Sequence, residues 1–478
     1  MRARARLAAV LCAAGLAASN AAAQKVIRMH AGGDFIDYTP TANMVKSPAN
    51  PYPHDAIRRL ADEWERLNPE YRLEFVSAPP PDLNYRAWAV TNFVGGTIPH
   101  VVYQNMGAFR DSDFTKGWVV AMDPYLKRPN RYVDGNERWA DQFHKPWVDA
   151  LRSLDGRLYW IAPDTVGVGI LCNKKILAEA GVHEMPKTFG EFVAACHKVR
   201  DAGHLAYFSP YEWYINIVVP SVLWADRIPA MDLSGDRTVD LREFAIPISR
   251  GEFTATDERF MDYLRLFEEL AACYPKGWTV LDAEHLFRNG RLAFMEGLSF
   301  HMKQLDEDER LTFEFEVIPY PDITREDSPF GGAPLAGAGN AGYTSTWQVT
   351  NAAVRDDVVE ACVDWLMFLT APENNEVLVN EVGFTLPGVK GAQPVPMFQE
   401  LHEKAIAEIQ KPDYLDWHTF SPVTYTNELS DNWKRTSDNL MLGVIDREEA
   451  ARRTQFWIER SHKSLVRRHG KEWGLEEE

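Results

Sequence analysis

The stretch that decides the fold is NKKILAEAGVHEMPKTFGEF, residues 173–192, which holds the end of one helix and the start of another. It follows the strand-like run LYWIAPDTVGVGIL. Gly181 offers the positive φ that a helix C-terminus favours. Further on, Thr188 and Glu191 form the S/T-x-x-E capping box, whose side chains satisfy free backbone amides at a helix start. The pattern predicts a strand, a short helix and a sharply capped second helix.

The N-terminal third of the chain repeats this alternation. The segments KVIRMHA (25–31), YRLEFVSA (71–78) and IPHVVYQN (98–105) are rich in β-formers and predict strands. The segment 54–67 between the first two places apolar side chains at helical spacing. Strands that alternate with helices are typical of a parallel sheet covered by helices. The sequence therefore predicts an α/β fold.

The length and the first residues predict an exported protein with two lobes. A chain of 478 residues is too long for one ordinary core. MRARAR is a basic start, an apolar run follows, and Ala21–Ala23 fits a small-residue cleavage pattern. We expect residues 1–23 to be a signal peptide, cleaved before Gln24, and the mature protein to be periplasmic. Cys12 has a poor context for lipidation because Val10 and Leu11 precede it.

Charge and composition exclude several classes of protein. The formal net charge of −18 lacks the basic footprint that nucleic acid requires, so we expect no nucleic-acid partner. The four cysteines beyond the leader match no zinc pattern or dense disulfide framework, and their apolar surroundings predict buried free thiols. No G-x-S-x-G, H-E-x-x-H or P-loop motif is present. We therefore expect no catalytic residues, no metal and no cofactor.

Three blocks of sequence resemble a known family. Residues 158–203, LYWIAPDTVGVGILCNKKILAEAGVHEMPKTFGEFVAACHKVRDAG, resemble the Y-N-K…P-K-T-W-x-E-F signature of the family 1 extracellular solute-binding proteins of ABC importers. FRNGRLAFMEGLSF (287–300) is similar to the family's F-x-x-G-x-A-A-M element. DWLMFLTAPENNEVLVNEVGFTLPG (364–388) is similar to its C-terminal helix and G-x-L-P turn. Cys172, Phe189 and Phe300 depart from the residues common at these places, and Phe300 stands where carbohydrate binders often carry Trp.

The resemblance implies the two-lobe periplasmic binding protein fold of type II, maltose-binding-protein-like, with a hinge that the chain crosses several times. It places residues 24–163 and 320–370 in the N-terminal lobe, and residues 164–319 and 371–478 in the C-terminal lobe. The first crossing would lie near Ala162–Thr165. There Pro163 fixes φ, and Gly167 and Gly169 are expected to relax it.

Candidate ligand-binding residues lie in loops that leave strand ends, because ligands of such sheets sit beyond the carboxyl ends of the strands. A structural turn is the alternative for the loop after the first strand, and core burial for Trp347. The resemblance implies the hinge-mouth and later positions. The candidates are Asp34, Phe35, Asp37, Tyr38, Gln104, Asn105, Asp164, Tyr211, Glu212, Trp213, Phe300, Tyr343, Trp347 and Trp417.

The composition favours a carbohydrate as the solute. Fifteen Trp, 17 Tyr and 24 Phe supply flat rings that stack on the C–H faces of sugars, while Asp, Asn, Gln and Glu bind hydroxyls. We expect a monomer that captures a mono- or oligosaccharide by hinge closure and delivers it to an ABC transporter permease. The alternatives are a non-sugar solute, such as a polyamine, another organic cation or a metal chelate, and an exported glycoside-active enzyme.

Overall fold

The computed structural model describes residues 24–32, 36–77, 85–105, 113–149, 151–153, 155–235, 239–334, 343, 345–411 and 420–475. The strands are β1 (Lys25–His30), β2 (Tyr71–Phe75), β3 (Val101–Asn105), β4 (Asp164–Thr165), β5 (Val168–Asn173), β6 (Leu205–Phe208), β7 (Leu292–Leu298), β8 (Phe315–Ile318), β9 (Ser345–Val349) and β10 (Leu386–Pro387).

Helices separate most of the strands, and the last three helices follow the final strand β10. They are α1 (Ala56–Leu67), α2 (Tyr85–Gly95), α3 (Asp123–Leu126), α4 (Lys145–Asp149), α5 (Lys174–Glu179), α6 (Phe189–Asp201), α7 (Val219–Leu223), α8 (Ile228–Met231), α9 (Leu241–Ser249), α10 (Glu258–Ala271), α11 (Ala283–Arg288), α12 (Ser299–Asp306), α13 (Asn351–Arg355), α14 (Val359–Leu369), α15 (Pro372–Val382), α16 (Gln399–Ile409), α17 (Asn427–Met441) and α18 (Arg447–Trp473). Of the helices in the described part, none is both long and apolar enough to span a bilayer.

The first sheet has the strand order β2-β1-β3-β9. β1 is parallel to β2 and β3, and β9 runs antiparallel to β3. This confirms the three strands and the intervening helix α1 that the N-terminal third of the sequence predicts. The carboxyl ends of β1, β2 and β3 consequently lie on the same side of the sheet. The antiparallel strand β9 begins on that side, where Ser345 pairs with Asn105.

The second sheet has the strand order β6-β7-β5-β8, and residues 173–192 continue the chain from its strand β5. After β5, Asn173 caps α5 by accepting hydrogen bonds from the amides of Lys175 and Ile176. Gly181 then takes a φ of +68°. Thr188 and Glu191 form both hydrogen bonds of the capping box at the start of α6. The predicted strand, short helix and capped helix are confirmed.

Two large hydrophobic cores divide the molecule. One contains Ile27, Trp64 and Trp365, and the other contains Leu171, Phe192 and Phe294, among many others. The chain passes between them after Ala162 and after Ile323, and then repeatedly from Val382 to Ile409. This arrangement agrees with the predicted two-lobe α/β fold, whose hinge the chain crosses several times. The predicted lobe borders stay a prediction, and we note that Leu378, Val379 and Val382 of α15 pack in the first core.

A two-stranded antiparallel sheet of β4 and β10 lies where the chain first passes between the cores. The carbonyl of Pro163 accepts hydrogen bonds from the Gly388 amide at 3.0 Å and from Asn375 Nδ2 at 2.8 Å. The glycines nearby have a different role from the expected relaxation of φ, since neither has a positive φ. A Cβ on Gly167 would lie 2.7 Å from Leu401 Cδ2, and one on Gly169 would lie 2.5 Å from the Ile318 carbonyl oxygen. These glycines permit close packing.

Candidate functional site

A buried carboxylate organises the loop that follows β6. Glu296 of β7 has no exposed surface, and its two oxygens accept hydrogen bonds from four donors. These donors are the Ser209 hydroxyl, the Trp213 amide at 3.1 Å, the Tyr214 amide at 2.8 Å and Tyr320 Oη at 2.7 Å. Burial raises the pKa of Glu296, and the hydrogen bonds oppose that rise. Glu296 thereby fixes the backbone that presents the side chains of the loop.

The loop presents two stacked rings. Tyr211 and Trp213, both half-buried, lie with ring centroids 4.5 Å apart and an interplanar angle of 21°. Tyr211 Oη lies 3.2 Å from His301 Nε2. The ring of Phe300, also half-buried, lies 4.1 Å from the ring of His301. The structure thus brings together three of the predicted aromatic residues around His301, which the sequence did not single out.

His301 is neutral at physiological pH, and its tautomer follows from its contacts. Burial lowers its pKa from 6.5 to about 4. Its Nδ1 accepts a hydrogen bond from the Leu298 amide at 3.1 Å, so Nε2 carries the proton. Nε2 therefore donates to Tyr211 Oη. The hydroxyl hydrogen of Tyr211 remains available for an acceptor on a bound molecule.

Glu212 lies between the two stacked residues in sequence and has a strained backbone. Its φ is +54°, in the left-handed region that few residues other than glycine adopt. The carboxylate is buried, with Oε1 3.6 Å from Lys434 Nζ and Oε2 3.5 Å from Asn216 Nδ2. Burial raises the pKa of Glu212, while Lys434 lowers it. Backbone strain of this kind concentrates at functional sites.

A second cluster of predicted residues lies beside β4 and β10. Tyr38 Oη donates to Asp164 Oδ2 at 2.5 Å, and Thr385 Oγ1 lies 3.2 Å from the same oxygen. All three side chains are buried. A hydrogen bond between chain neighbours connects this cluster with Phe300. Ser299, which precedes Phe300, donates to the carbonyl of Phe384, which precedes Thr385, at 2.6 Å.

Tyr343 and Trp347 have almost no exposed surface in this structure. Tyr343 Oη donates to the Gly388 carbonyl at 2.6 Å and accepts from the His144 amide at 3.1 Å. Trp347 pairs with Tyr103 in the first sheet, and its ring meets that of Tyr38 edge-on at 5.9 Å. Their rings pack in the first core, in accordance with the core burial that the sequence allowed for Trp347.

The remaining candidates are placed only partly. Asp37 is exposed, and its Oδ1 accepts a hydrogen bond from the Thr39 amide at 2.8 Å. Gln104 and Asn105 end β3, but only their backbone lies within the described part. Three candidates lie outside the described residues: Asp34, Phe35 and Trp417. Of the predicted ligand-binding residues, those around His301 form the best-defined group with exposed ring surface.

Several residues of the site were missed by sequence reasoning. Glu296 lies within the family-like block 287–300, and His301 directly follows it. Their position in the sequence was therefore a usable signal. Thr385 likewise lies within the family-like block 364–388. Ser209 and Tyr320 lie outside the blocks, and their contacts with Glu296 join parts of the chain far apart in sequence. Within the described part of the chain, no group of three His, Cys, Asp or Glu side chains is arranged to hold a metal ion.

A large concavity among the described residues lies elsewhere. It measures about 920 Å³ and runs along the open edge of β8, between Met185–Lys187 and the end of α12, with Leu401 and Lys404 of α16. Its rim mixes apolar side chains with scattered carboxylates such as Asp306. It lacks exposed ring pairs and convergent buried polar groups. We therefore assign the candidate site to the Tyr211–Trp213 loop.

Comparison with solved structures identifies the fold. A family 1 extracellular solute-binding protein from Bifidobacterium longum subsp. infantis is 18% identical with a TM-score of 0.60, over 91% of this chain and 99% of that one. A chitin oligosaccharide binding protein is 16% identical with a TM-score of 0.61, over 92% and 99%. The maltose-bound MalE3 of T. maritima is 17% identical with a TM-score of 0.58, over 91% and 99%.

Comparison by sequence gives the family. No curated protein matches the chain. The family model of the bacterial extracellular solute-binding proteins matches residues 76–406, which is more than half of the chain. The match includes the loop 209–214, Glu296, His301 and β10. The chain belongs to the bacterial extracellular solute-binding proteins.

Proposed function

We propose that the protein captures a mono- or oligosaccharide between its two lobes and delivers it to the permease of an ABC transporter. The observation that carries the proposal is the stacked pair of Tyr211 and Trp213 beside neutral His301. Flat rings stack on the C–H face of a sugar, and uncharged donors and acceptors bind its hydroxyls. A neutral imidazole and a phenol suit an uncharged polyol better than an ion.

The relatives support a carbohydrate but do not decide it. MalE3 of T. maritima is a maltose-bound structure, and another similar structure is a chitin oligosaccharide binding protein. At 16% and 17% identity, these two structures show that the chain shares their fold and nothing about its solute. The choice of a sugar therefore depends on the chemistry of the Tyr211–Trp213 loop, which a direct binding measurement can test.

Capture would work by a shift between open and closed lobes. A solute that contacts both lobes binds the closed form better, so it moves the equilibrium toward closure. We propose the lobe borders given by the sequence, 24–163 with 320–370 and 164–319 with 371–478, except that α15 belongs to the first lobe because its buried residues pack in the first core. We also propose that the protein acts as a monomer in the periplasm, because closure requires free lobes. Gel filtration tests the monomer, and scattering with and without solute tests the closure.

The test is a thermal-shift screen of sugars, polyamines and organic acids, followed by calorimetry. A solute that binds the native state raises the melting temperature by mass action. We expect a saccharide to raise the melting temperature. Trp213→Ala should then weaken binding about 5- to 150-fold, if stacking on its ring contributes the roughly 1–3 kcal/mol found for nucleic-acid bases stacked on aromatic side chains. Trp457→Ala in α18 is the matched control and should bind normally.

The same experiments address the alternatives. The acidic composition makes an organic cation the competing solute, and a hit with polyamines alone would replace the sugar proposal. We further propose that the protein carries out no reaction on its solute. Incubation with oligosaccharides should produce no new reducing ends, whereas their appearance would identify a glycoside-active enzyme.

A further inference from the structure

Two cysteines of the second core lie in neighbouring elements. Cys196 is in α6, and Cys273 follows the end of α10. Both are buried free thiols, and Cys273 Sγ donates to the Glu269 carbonyl at 3.6 Å. Burial, together with the neighbouring Cys273 thiol, raises the pKa of Cys196. Neither cysteine has a role in the proposed solute site.

The contacts on each side of Cys196 show that α6 faces the segment that contains Cys273. Arg200, one turn after Cys196, donates to the Ala272 carbonyl at 2.5 Å. Phe192, one turn before it, packs against Tyr207 with ring centroids 5.1 Å apart. Tyr207 in turn contacts Tyr274 at 5.4 Å, and its amide donates to the Cys273 carbonyl at 3.2 Å.

We propose that Cys196 and Cys273 form a disulfide in the exported protein. The family is extracellular, and disulfides form and persist in oxidising compartments outside the cytosol. The packing of α6 on residues 272–274 places the two cysteines on facing segments of the second core. The bond requires the two sulfurs to approach to roughly 2 Å.

The oxidant is a protein disulfide of a thiol–disulfide oxidoreductase in the same compartment. One cysteine thiolate attacks that disulfide, which forms a mixed disulfide and releases one carrier thiolate. The second cysteine thiolate then attacks the mixed disulfide, forms the Cys196–Cys273 bond and releases the other carrier thiolate. The carrier takes up two electrons and ends as a dithiol, and the two cysteine protons pass to solvent or to the carrier.

The bond would have to form before the second core closes. In the folded protein, burial raises the pKa of the Cys196 thiol well above its usual range, and the contact with Cys273 raises it further. Few thiolates would be present, and the oxidant could not reach them. Oxidation therefore belongs to the newly exported, incompletely folded chain, and the finished bond would resist reduction in the native state.

Cys172 is the competing partner. It lies in β5 and affects the pKa of Cys196 through its charge alone, whereas Cys273 also acts on that pKa through a side-chain hydrogen bond. Cys362 is in the first core and is remote from the pair. The Cys196–Cys273 bond would close a long loop of the second core and tie α6 to α10. Such a cross-link stabilises chiefly by restricting the unfolded chain.

The test compares the full chain exported to the periplasm with the same chain kept in the cytosol without residues 1–23. Each is denatured without reductant, alkylated, digested and analysed by mass spectrometry. We expect the exported protein to give a linked pair of peptides that contain Cys196 and Cys273, with Cys172 and Cys362 alkylated. Cys362→Ala, in the other core, should leave the linked pair intact.

Stability provides a second readout that does not depend on the peptide map. The exported protein, once refolded in a reductant, should melt at a lower temperature than the oxidised protein. The variant Cys172→Ala should show the same drop on reduction, because it keeps both cysteines of the pair. The double variant Cys196→Ala/Cys273→Ala should melt at one temperature with or without reductant. Four alkylated cysteines in the exported protein, or a link between Cys172 and Cys196, would overturn the proposal.

Discussion

Tyr38 Oη lies 2.5 Å from Asp164 Oδ2, and this buried hydrogen bond joins the loop after β1 to the first crossing between the two cores. Thr385, next to β10, contacts both groups, at 3.0 Å from Tyr38 Oη and 3.2 Å from Asp164 Oδ2. Three segments far apart in sequence therefore meet at one carboxylate. A buried carboxylate is costly without such donors, so the cluster stabilises the arrangement of the chain at the hinge.

Tyr38→Phe should destabilise the protein by about 1.5–3 kcal/mol, because it removes a hydrogen bond to a buried charged group. Urea unfolding measures the free energy of unfolding. Tyr425→Phe is the matched control, since Tyr425 Oη donates to the neutral Leu241 carbonyl at 3.0 Å. Its cost should be smaller, about 0.5–1.5 kcal/mol. Equal losses for the two variants would contradict a special role for the Tyr38–Asp164 pair.

Glu296→Gln should destabilise the protein by about 2–4 kcal/mol and should weaken solute binding, because an amide cannot accept from all four donors. Calorimetry with the best saccharide of the screen measures the binding, and urea unfolding the stability. Tyr320→Phe removes a single donor to Glu296 and should have a milder effect on both. If Glu296→Gln binds solute like the unaltered protein, then Glu296 does not position the loop 209–214.

His30→Phe should stabilise the protein, and more so in mild acid. His30 is fully buried against Tyr85 and Trp88, and within the described part of the chain neither of its ring nitrogens has a hydrogen-bond partner. Burial lowers its pKa from 6.5 to about 4, and the charge of Asp37 opposes this shift. An apolar ring of similar shape avoids the cost of the unmade hydrogen bonds, which is roughly 1–3 kcal/mol.

The sign of the pH effect follows from proton binding. Between pH 6.5 and about 4 the unfolded chain binds a proton at His30 and the folded chain does not. The stability of the unaltered protein therefore falls as the pH drops through this window, by up to about 1.4 kcal/mol per pH unit from this group. Urea unfolding at pH 7.5 and pH 5 should show a smaller loss for His30→Phe. An equal loss would refute the buried neutral state of His30.

Gly169→Ala should destabilise the protein more than Gly167→Ala. The new Cβ at residue 169 would meet the backbone carbonyl of Ile318 on the paired strand β8, which cannot move without disturbing the sheet. At residue 167 the nearest atom is a methyl of Leu401, a flexible side chain. We expect about 2–3 kcal/mol for the first and about 1 kcal/mol for the second, within the range for overpacked sites. Thermal unfolding gives the order, and the reverse order would contradict the close-packing explanation.

Local features were predictable because their physical causes act over a few residues. The capping box of Thr188 and Glu191 and the positive φ of Gly181 follow from side chains and backbone within one turn. The three N-terminal strands follow from the alternation of apolar residues. The aromatic residues Tyr211, Trp213 and Phe300 were predicted as ligand-binding candidates, and the structure places them around His301.

Other assignments could not follow from local pattern. Gly167 and Gly169 looked like sites of relaxed φ, whereas the structure shows that nearby side chains and β8 leave no room for a Cβ. The burial of Tyr343 results from its hydroxyl contacts with Gly388 and with the amide of His144. Such contacts depend on which segments the fold brings together, and a linear sequence does not state this.

By itself, the sequence determined the class of the protein: an α/β chain with capped helices and a family resemblance that the family match confirms. The signal peptide at residues 1–23 stays a prediction. Only the tertiary structure decided that Glu296 collects donors from residues 209, 213, 214 and 320, and that Tyr38, Asp164 and Thr385 share one buried cluster. The reason is that helix caps and strand alternation are short-range effects. The partners of a buried charge are fixed by sheet register and core packing.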